Sequence, residues 1–160
     1  MLTKKAKYAL KALIYLARFR PGDAVAIEEI AVAQDVPRKF LSAILCELRN
    51  AGLVESKKGK GGGYTLARPA TAISVGAVVR VIDGTLAPIR CAGQKGFQPC
   101  DDCREPERCA IRMVMLDAKR ALANVLDNFT LAAMIAAPAA DGPLINMSDA
   151  AAPIVRRLRA

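Results

Sequence analysis

The stretch Lys57-Lys58-Gly59-Lys60-Gly61-Gly62-Gly63 limits the fold more than any other part of the chain. So many glycines cannot lie inside a helix, because each loses more backbone freedom on ordering than any other residue. Leu53 to Ser56 and Tyr64 to Ala67 flank it as two short strands, which makes the stretch the tip of a hairpin. Glycine lets the backbone approach a phosphate or a minor groove closely, and Lys57, Lys58 and Lys60 supply positive charge.

Three helical patterns precede the hairpin. Residues 4–19 carry Ala9, Leu13, Leu16 and Ala17 at helical spacing, with Thr3 as cap and Arg20-Pro21-Gly22 as the break. A shorter helix fits Ile27 to Gln34, with Ile27, Ile30 and Ala31 inward. A third begins at Pro37, a residue suited to a first helical turn, and runs to Asn50. Its buried stripe is Leu41, Ile44, Leu45 and Leu48, which leaves Arg38, Lys39 and Ser42 on other faces near its start. Helix, helix, turn, helix and basic hairpin is the order of a winged helix-turn-helix, whose last helix enters the major groove of DNA. Arg38, Lys39 and Ser42 are then the candidate readers of DNA, and Lys57, Lys58, Lys60, Gly62 and Tyr64 the candidate wing contacts.

Charge agrees with this reading. Residues 1–68 hold thirteen Lys and Arg against six Asp and Glu, so +7 of the net +9 sits in this part of the chain. Clustered cations attract polyanions, whereas dispersed ones mostly confer solubility. The start, Met1-Leu2-Thr3-Lys4-Lys5, lacks the apolar core of a secretory signal. No stretch reaches the ~18 apolar residues of a membrane span. The expectation is a soluble cytoplasmic protein, in which cysteines are reduced thiols or metal ligands. The chain has no histidine, no catalytic pairing of carboxylates and no P-loop, so an enzyme is not expected.

Ser74 to Ile82 forms one more short helix after Pro69, and Asp83-Gly84 ends it. Residues 84–106 are irregular and rich in Gly, Pro and Cys. A long helix is predicted from Glu107 to Ile135, with Ile111, Met115, Ala118, Leu122, Val125 and Phe129 as an apolar seam that needs a partner. The Ala/Pro-rich tail from Ala136, with Arg156-Arg157 near its end, is expected to be disordered.

Cys91, Cys100, Cys103 and Cys109 follow the spacing C-x8-C-x2-C-x5-C. Soft thiolates select iron–sulfur clusters, zinc or copper(I), and the absence of histidine removes every imidazole-ligated site. An iron–sulfur cluster, of 2Fe–2S or 4Fe–4S type, is the leading reading. A closed zinc site and a metal-free thiol/disulfide switch are the alternatives. Cys46, beside the stripe of the third helix, is expected to be a small, partly buried hydrophobe outside the ligand set.

The chain resembles the family of bacterial winged-helix transcription regulators that includes IscR, NsrR and RirA. The resemblance spans residues 1–135 and rests on several segments of this sequence. They are Leu2-Thr3 with Tyr8-Ala9-Leu10, Phe40-Leu41 through Leu48-Arg49-Asn50-Ala51-Gly52-Leu53-Val54, and Gly61-Gly62-Gly63-Tyr64-Thr65-Leu66-Ala67-Arg68. Further ones are Ile73-Ser74-Val75-Gly76 to Ile82-Asp83-Gly84, Cys103-x5-Cys109, and Leu126-Asp127 to Thr130-Leu131. It implies a homodimer paired through its long helices, double-stranded palindromic DNA as partner, and a cluster on three cysteines, matched by Cys91, Cys103 and Cys109. Cys100 is additional, either a fourth ligand or a redox partner. Where IscR-like members have a histidine this chain has Arg112, and where NsrR-like members have an aspartate it has Tyr8.

The sequence thus predicts a mainly α protein with a small β-wing. Residues 1–83 are the DNA-binding domain, 84–106 a sensor loop, 107–135 a dimerisation helix and 136–160 a tail. The expected function is a sequence-specific DNA-binding regulator whose affinity follows a cluster responding to iron, redox state or nitric oxide. A metal-handling redox protein is the reading from another class.

Overall fold

The computed structural model describes residues 2–93, 98–101, 103 and 105–137. Of the expected tail, 136–160, positions 138–160 lie outside the described residues, as do positions 94–97, 102 and 104 of the expected sensor loop.

The central helix, α1 (Lys4–Leu16), starts where the Thr3 side chain accepts from the Ala6 amide, and it buries Ala6, Ala9, Leu10, Ala12, Leu13 and Leu16. It ends earlier than residue 19. The Arg18 and Phe19 amides donate to Tyr15 and Leu16 in tighter turns, and Pro21 then keeps Arg20 out of helical geometry. Helix α2 (Ile27–Gln34) carries Glu28 and Glu29 in its first turn, where the helix dipole favours acids. Its cap, Asp35, takes the left-handed conformation at φ 50° and turns the chain into α3 (Arg38–Asn50). Pro37 stands just outside α3 as its N-cap, not inside the first turn. Leu41, Ile44, Leu45 and Leu48 are buried as their spacing predicts.

The hairpin pairs β1 (Val54–Lys57) with β2 (Gly63–Leu66), each one residue from its predicted bounds. Val54 faces Leu66 and Lys57 faces Gly63. A short bridge of Val25 with Tyr64, closed by backbone bonds of 2.9 and 2.8 Å, fixes the hairpin to the segment before α2. Helix α4 (Val75–Asp83) is capped by Ser74, whose side chain accepts from the Ala77 amide. Its last residue, Asp83, accepts from the Thr3 amide at 3.0 Å and from the Thr3 hydroxyl, closing the head on itself.

The predicted long helix is two helices. A 3-10 turn covers Pro106–Arg108, α5 runs Ala110–Asn128 and α6 runs Leu131–Ala136. The break falls at Phe129-Thr130 because tertiary bonds outcompete helix continuation there. The Val75 amide donates to the Phe129 carbonyl at 2.8 Å, the Leu131 amide donates to Ile73 at 2.9 Å, and the Thr130 side chain caps α6. Phe129 therefore leaves the apolar seam and packs against the head, with Leu131 fully buried in its core.

Candidate nucleic-acid interface and cysteine centre

The start of α3 and the hairpin tip supply the cations that sequence singled out. Arg38, Lys39 and Ser42 are all exposed, as are Lys57, Lys58 and Lys60. Arg38 Nε lies 2.7 Å from Glu28 Oε1, so the guanidinium is held across the turn between α2 and α3. Glu28 was not singled out in sequence, because one acid in a helix's first turn is ordinary. Gly62 sits where a Cβ would fall 2.4 Å from the Lys57 carbonyl, so the tip closes only around glycine. Tyr64 is half-buried near the tip end of β2, where it pairs with Ser56 and is bridged to Val25. Nearby, Tyr8 meets the Phe40 ring edge-on at 5.8 Å, and the Lys4 ammonium lies 5.7 Å from the Tyr8 ring centre.

The four clustered cysteines come together as two pairs. Cys91 is buried in a 3-10 turn, Arg90–Ala92, and the exposed Cys100 places its Sγ 3.9 Å from that of Cys91. Cys103 and Cys109 are half-buried, and Cys109 is the N-cap residue of α5. Partial burial pushes the Cys103 thiol above its usual range, and Cys109 and then Cys91 add to the rise. Among the described residues, no three thiols or carboxylates are already gathered as a formed metal site. The donor chemistry nonetheless fits a soft-metal or iron–sulfur centre, since all four groups are thiols in one short segment.

Two cations of α5 fasten that segment. Arg112 Nε donates to the Cys91 carbonyl at 2.9 Å, and Lys119 Nζ to the Ala92 carbonyl at 3.3 Å. Arg112, which the resemblance matched to the histidine of IscR-like members, is thus a backbone anchor, a role that spacing alone could not have disclosed. Cys46 is exposed on α3, contrary to the expected partial burial, with Arg49 Nη2 3.7 Å from its sulfur. The stripe of Leu41, Ile44, Leu45 and Leu48 already fills the core face of that helix.

Along α5 the faces separate cleanly. Ala123 and Leu126 pack on the head, while Ile111, Val114 and Leu122 are 67, 61 and 42% exposed. No helix among the described residues is long and apolar enough to cross a membrane.

Residues 2–137 match the Rrf2 family, described as iron-dependent transcriptional regulators. The chain is 43% identical over 140 residues to an rrf2-like HTH-type transcriptional regulator of Rhodobacter capsulatus, covering 86% of this chain and 93% of that one. It is 33% identical over 134 residues to the HTH-type transcriptional regulator IscR of Yersinia pestis, covering 84% of this chain and 78% of the relative. Among solved structures, CymR of B. subtilis, the global cysteine regulator, superposes with TM-score 0.68 at 30% identity over 84% of this chain and 95% of its own. IscR of T. potens does so with TM-score 0.67 at 29% identity over 92 and 96%. With its helical head, two-stranded wing and these relatives, the chain belongs to the Rrf2 family of DNA-binding transcriptional regulators.

Proposed function

We propose that this regulator binds palindromic operator DNA as a homodimer, and that an iron–sulfur cluster on its cysteine segment sets its affinity. The observation that carries the reading is the position of the thiols. They lie between the DNA-binding head and α5, and Cys109 is itself the residue at which α5 begins. Cys91, Cys103 and Cys109 would hold the cluster, with Cys100 available as a fourth thiol. When bound, the group supplies a centre that iron supply, oxidation or nitric oxide can alter. The chain's own residues do the rest. Arg112 and Lys119 hold the Cys91 turn on α5, and the Arg80–Asp127 ion pair holds α5 on α4.

On DNA, Arg38, Lys39 and Ser42 face the base edges, while Lys57, Lys58, Lys60, Gly62 and Tyr64 line the wing's approach to phosphate or minor groove. The exposed apolar face of α5, with Ile111, Val114, Ala118 and Leu122, supports pairing with a second copy. Arg38→Ala should weaken operator binding by about 1–3 kcal/mol if the guanidinium reads a base.

The test is to purify the protein without oxygen, record its visible absorption, and assay iron, acid-labile sulfide and zinc per chain. Holo and metal-free protein are then titrated onto the same operator. Iron and sulfide in comparable amounts, with different affinities for the two forms, support the reading. Equal affinities eliminate the coupling, because a state bound equally well moves no equilibrium. Zinc alone would make the centre structural.

A further inference from the structure

Four thiols share the segment before α5, and their exposures differ. Cys91 is buried at 4% exposure, Cys103 and Cys109 are half-buried, and Cys100 is exposed. The Cys100 and Cys91 sulfurs are 3.9 Å apart. A disulfide needs about 2.05 Å between sulfurs. The sulfurs must therefore approach by about 2 Å, and the exposed Cys100 is the side with room to move. Cys91 is the anchored one, since its own carbonyl and the next are bonded to Arg112 and Lys119.

An exposed thiol beside a buried one is the arrangement of an attacking and a resolving cysteine. We infer that Cys91 and Cys100 are an oxidisable dithiol, which a peroxide converts to an intrachain disulfide when the segment holds no metal. The Cys100 sulfur attacks the peroxide, an S–O bond forms, the O–O bond breaks, and the departing hydroxide takes a proton to leave as water. The Cys91 sulfur then attacks the Cys100 sulfenic acid. The S–S bond forms, the S–O bond breaks, and a second water leaves with the Cys91 proton. Two thiols have lost two electrons and two protons, and one peroxide has become two waters.

The consequence for the proposed centre is direct and rests on that reading. A disulfide sulfur is no longer a thiolate ligand, so oxidation withdraws Cys91 and Cys100 together until a dithiol reductant restores them. The crosslink itself does not depend on which metal the segment holds.

The experiment uses the full chain, stripped of metal by a chelator under reducing conditions, desalted, exposed to hydrogen peroxide and alkylated. Trypsin separates Cys91, in the peptide 91–95, from 96–104, which carries both Cys100 and Cys103. Cleavage before Asp101 and Asp102 then parts those two. The expected product joins Cys91 to Cys100, disappears on reduction and in Cys100→Ser, and persists in Cys46→Ser. Because Cys100 is exposed, Cys100→Ser leaves the fold intact, as circular dichroism will verify. A link between Cys103 and Cys109, a link between chains, or sulfinic acid at Cys100 with Cys91 still alkylatable would each overturn the inference. Iron and sulfide assayed on the same preparation before stripping judge the cluster reading separately.

Discussion

Asp127, near the end of α5, holds Arg80 of α4 through both carboxylate oxygens at 2.5 and 2.8 Å, and the fork lies over Gly76. A Cβ at position 76 would stand 2.0 Å from Asp127 Oδ1. The missing side chain is thus what lets α5 approach α4 closely. Gly76→Ala should break the fork with little change in global stability. Alanine gains up to about 1 kcal/mol over glycine in a helix, and an exposed ion pair is worth at most about 1 kcal/mol. Urea denaturation checks this, and a loss of several kcal/mol would mean that the backbone, not the carboxylate, takes up the clash.

The same pair gives a pH signature. Hydrogen bonding from Arg80, reinforced by its charge and opposed by burial, holds the Asp127 carboxyl below its usual 3.8. Because the folded value is the lower one, the stabilisation is present above about pH 4 and is lost as pH falls through the folded value. Asp127→Asn should therefore be less stable than the parent at pH 6, by under about 1 kcal/mol since both side chains are exposed. The two proteins should converge as pH falls through the folded value, below the usual carboxylate range. A constant gap across that fall would assign the effect to packing.

Gly63 lets β2 pass close to the chain before α2, and a Cβ there would lie 2.2 Å from the Val25 carbonyl oxygen. Backbone meets backbone, so nothing flexible can yield. Gly63→Ala should cost about 1–3 kcal/mol, typical of overpacking, and loosen the Val25–Tyr64 bridge. Amide exchange at Tyr64 and Val25 would accelerate, and unchanged protection there would refute the account.

For the wing, each lysine that neutralises a phosphate releases counterions. Lys57→Ala, Lys58→Ala and Lys60→Ala should each lower the slope of log affinity against log salt by about 1 for each phosphate that the lysine neutralises. The weakening should be similar on specific and random DNA. Titrations at several salt concentrations decide it, and an unaltered slope removes that lysine from the interface.

For the dimer, Leu122→Glu places a charge on the exposed apolar face of α5 without touching the head core. The chain should stay folded and scatter light as a monomer at micromolar concentration. A parent protein that is itself monomeric would refute the pairing.

The head was legible because its signals are local and redundant. The stripe from Leu41 to Leu48 repeats at helical spacing, and the glycines of the wing permit little else. The break at Phe129-Thr130 was not legible. Ile111 to Ile135 is periodic throughout, and the partners that interrupt it, Ile73 and Val75, lie more than fifty residues earlier in the chain. The cysteine spacing showed which thiols share one segment but not how that segment is anchored, since an arginine donating to a backbone carbonyl leaves no pattern in sequence. Glu28 escaped notice for the same reason: its link to Arg38 exists only once two helices are folded across a turn.

Helix α5 is clamped at its far end, where Phe129 and Leu131 are stitched to Val75 and Ile73, and its near end begins on Cys109. A helix of nineteen residues is a rod about 28 Å long, and a tilt of about 5° at one end moves the other by about 2.5 Å. That displacement is comparable to a hydrogen-bond length, enough to form or break a bond to a base edge. Under the proposed coupling the thiols need not touch DNA to act on it, because the stitched end gives a motion at Cys109 its fulcrum.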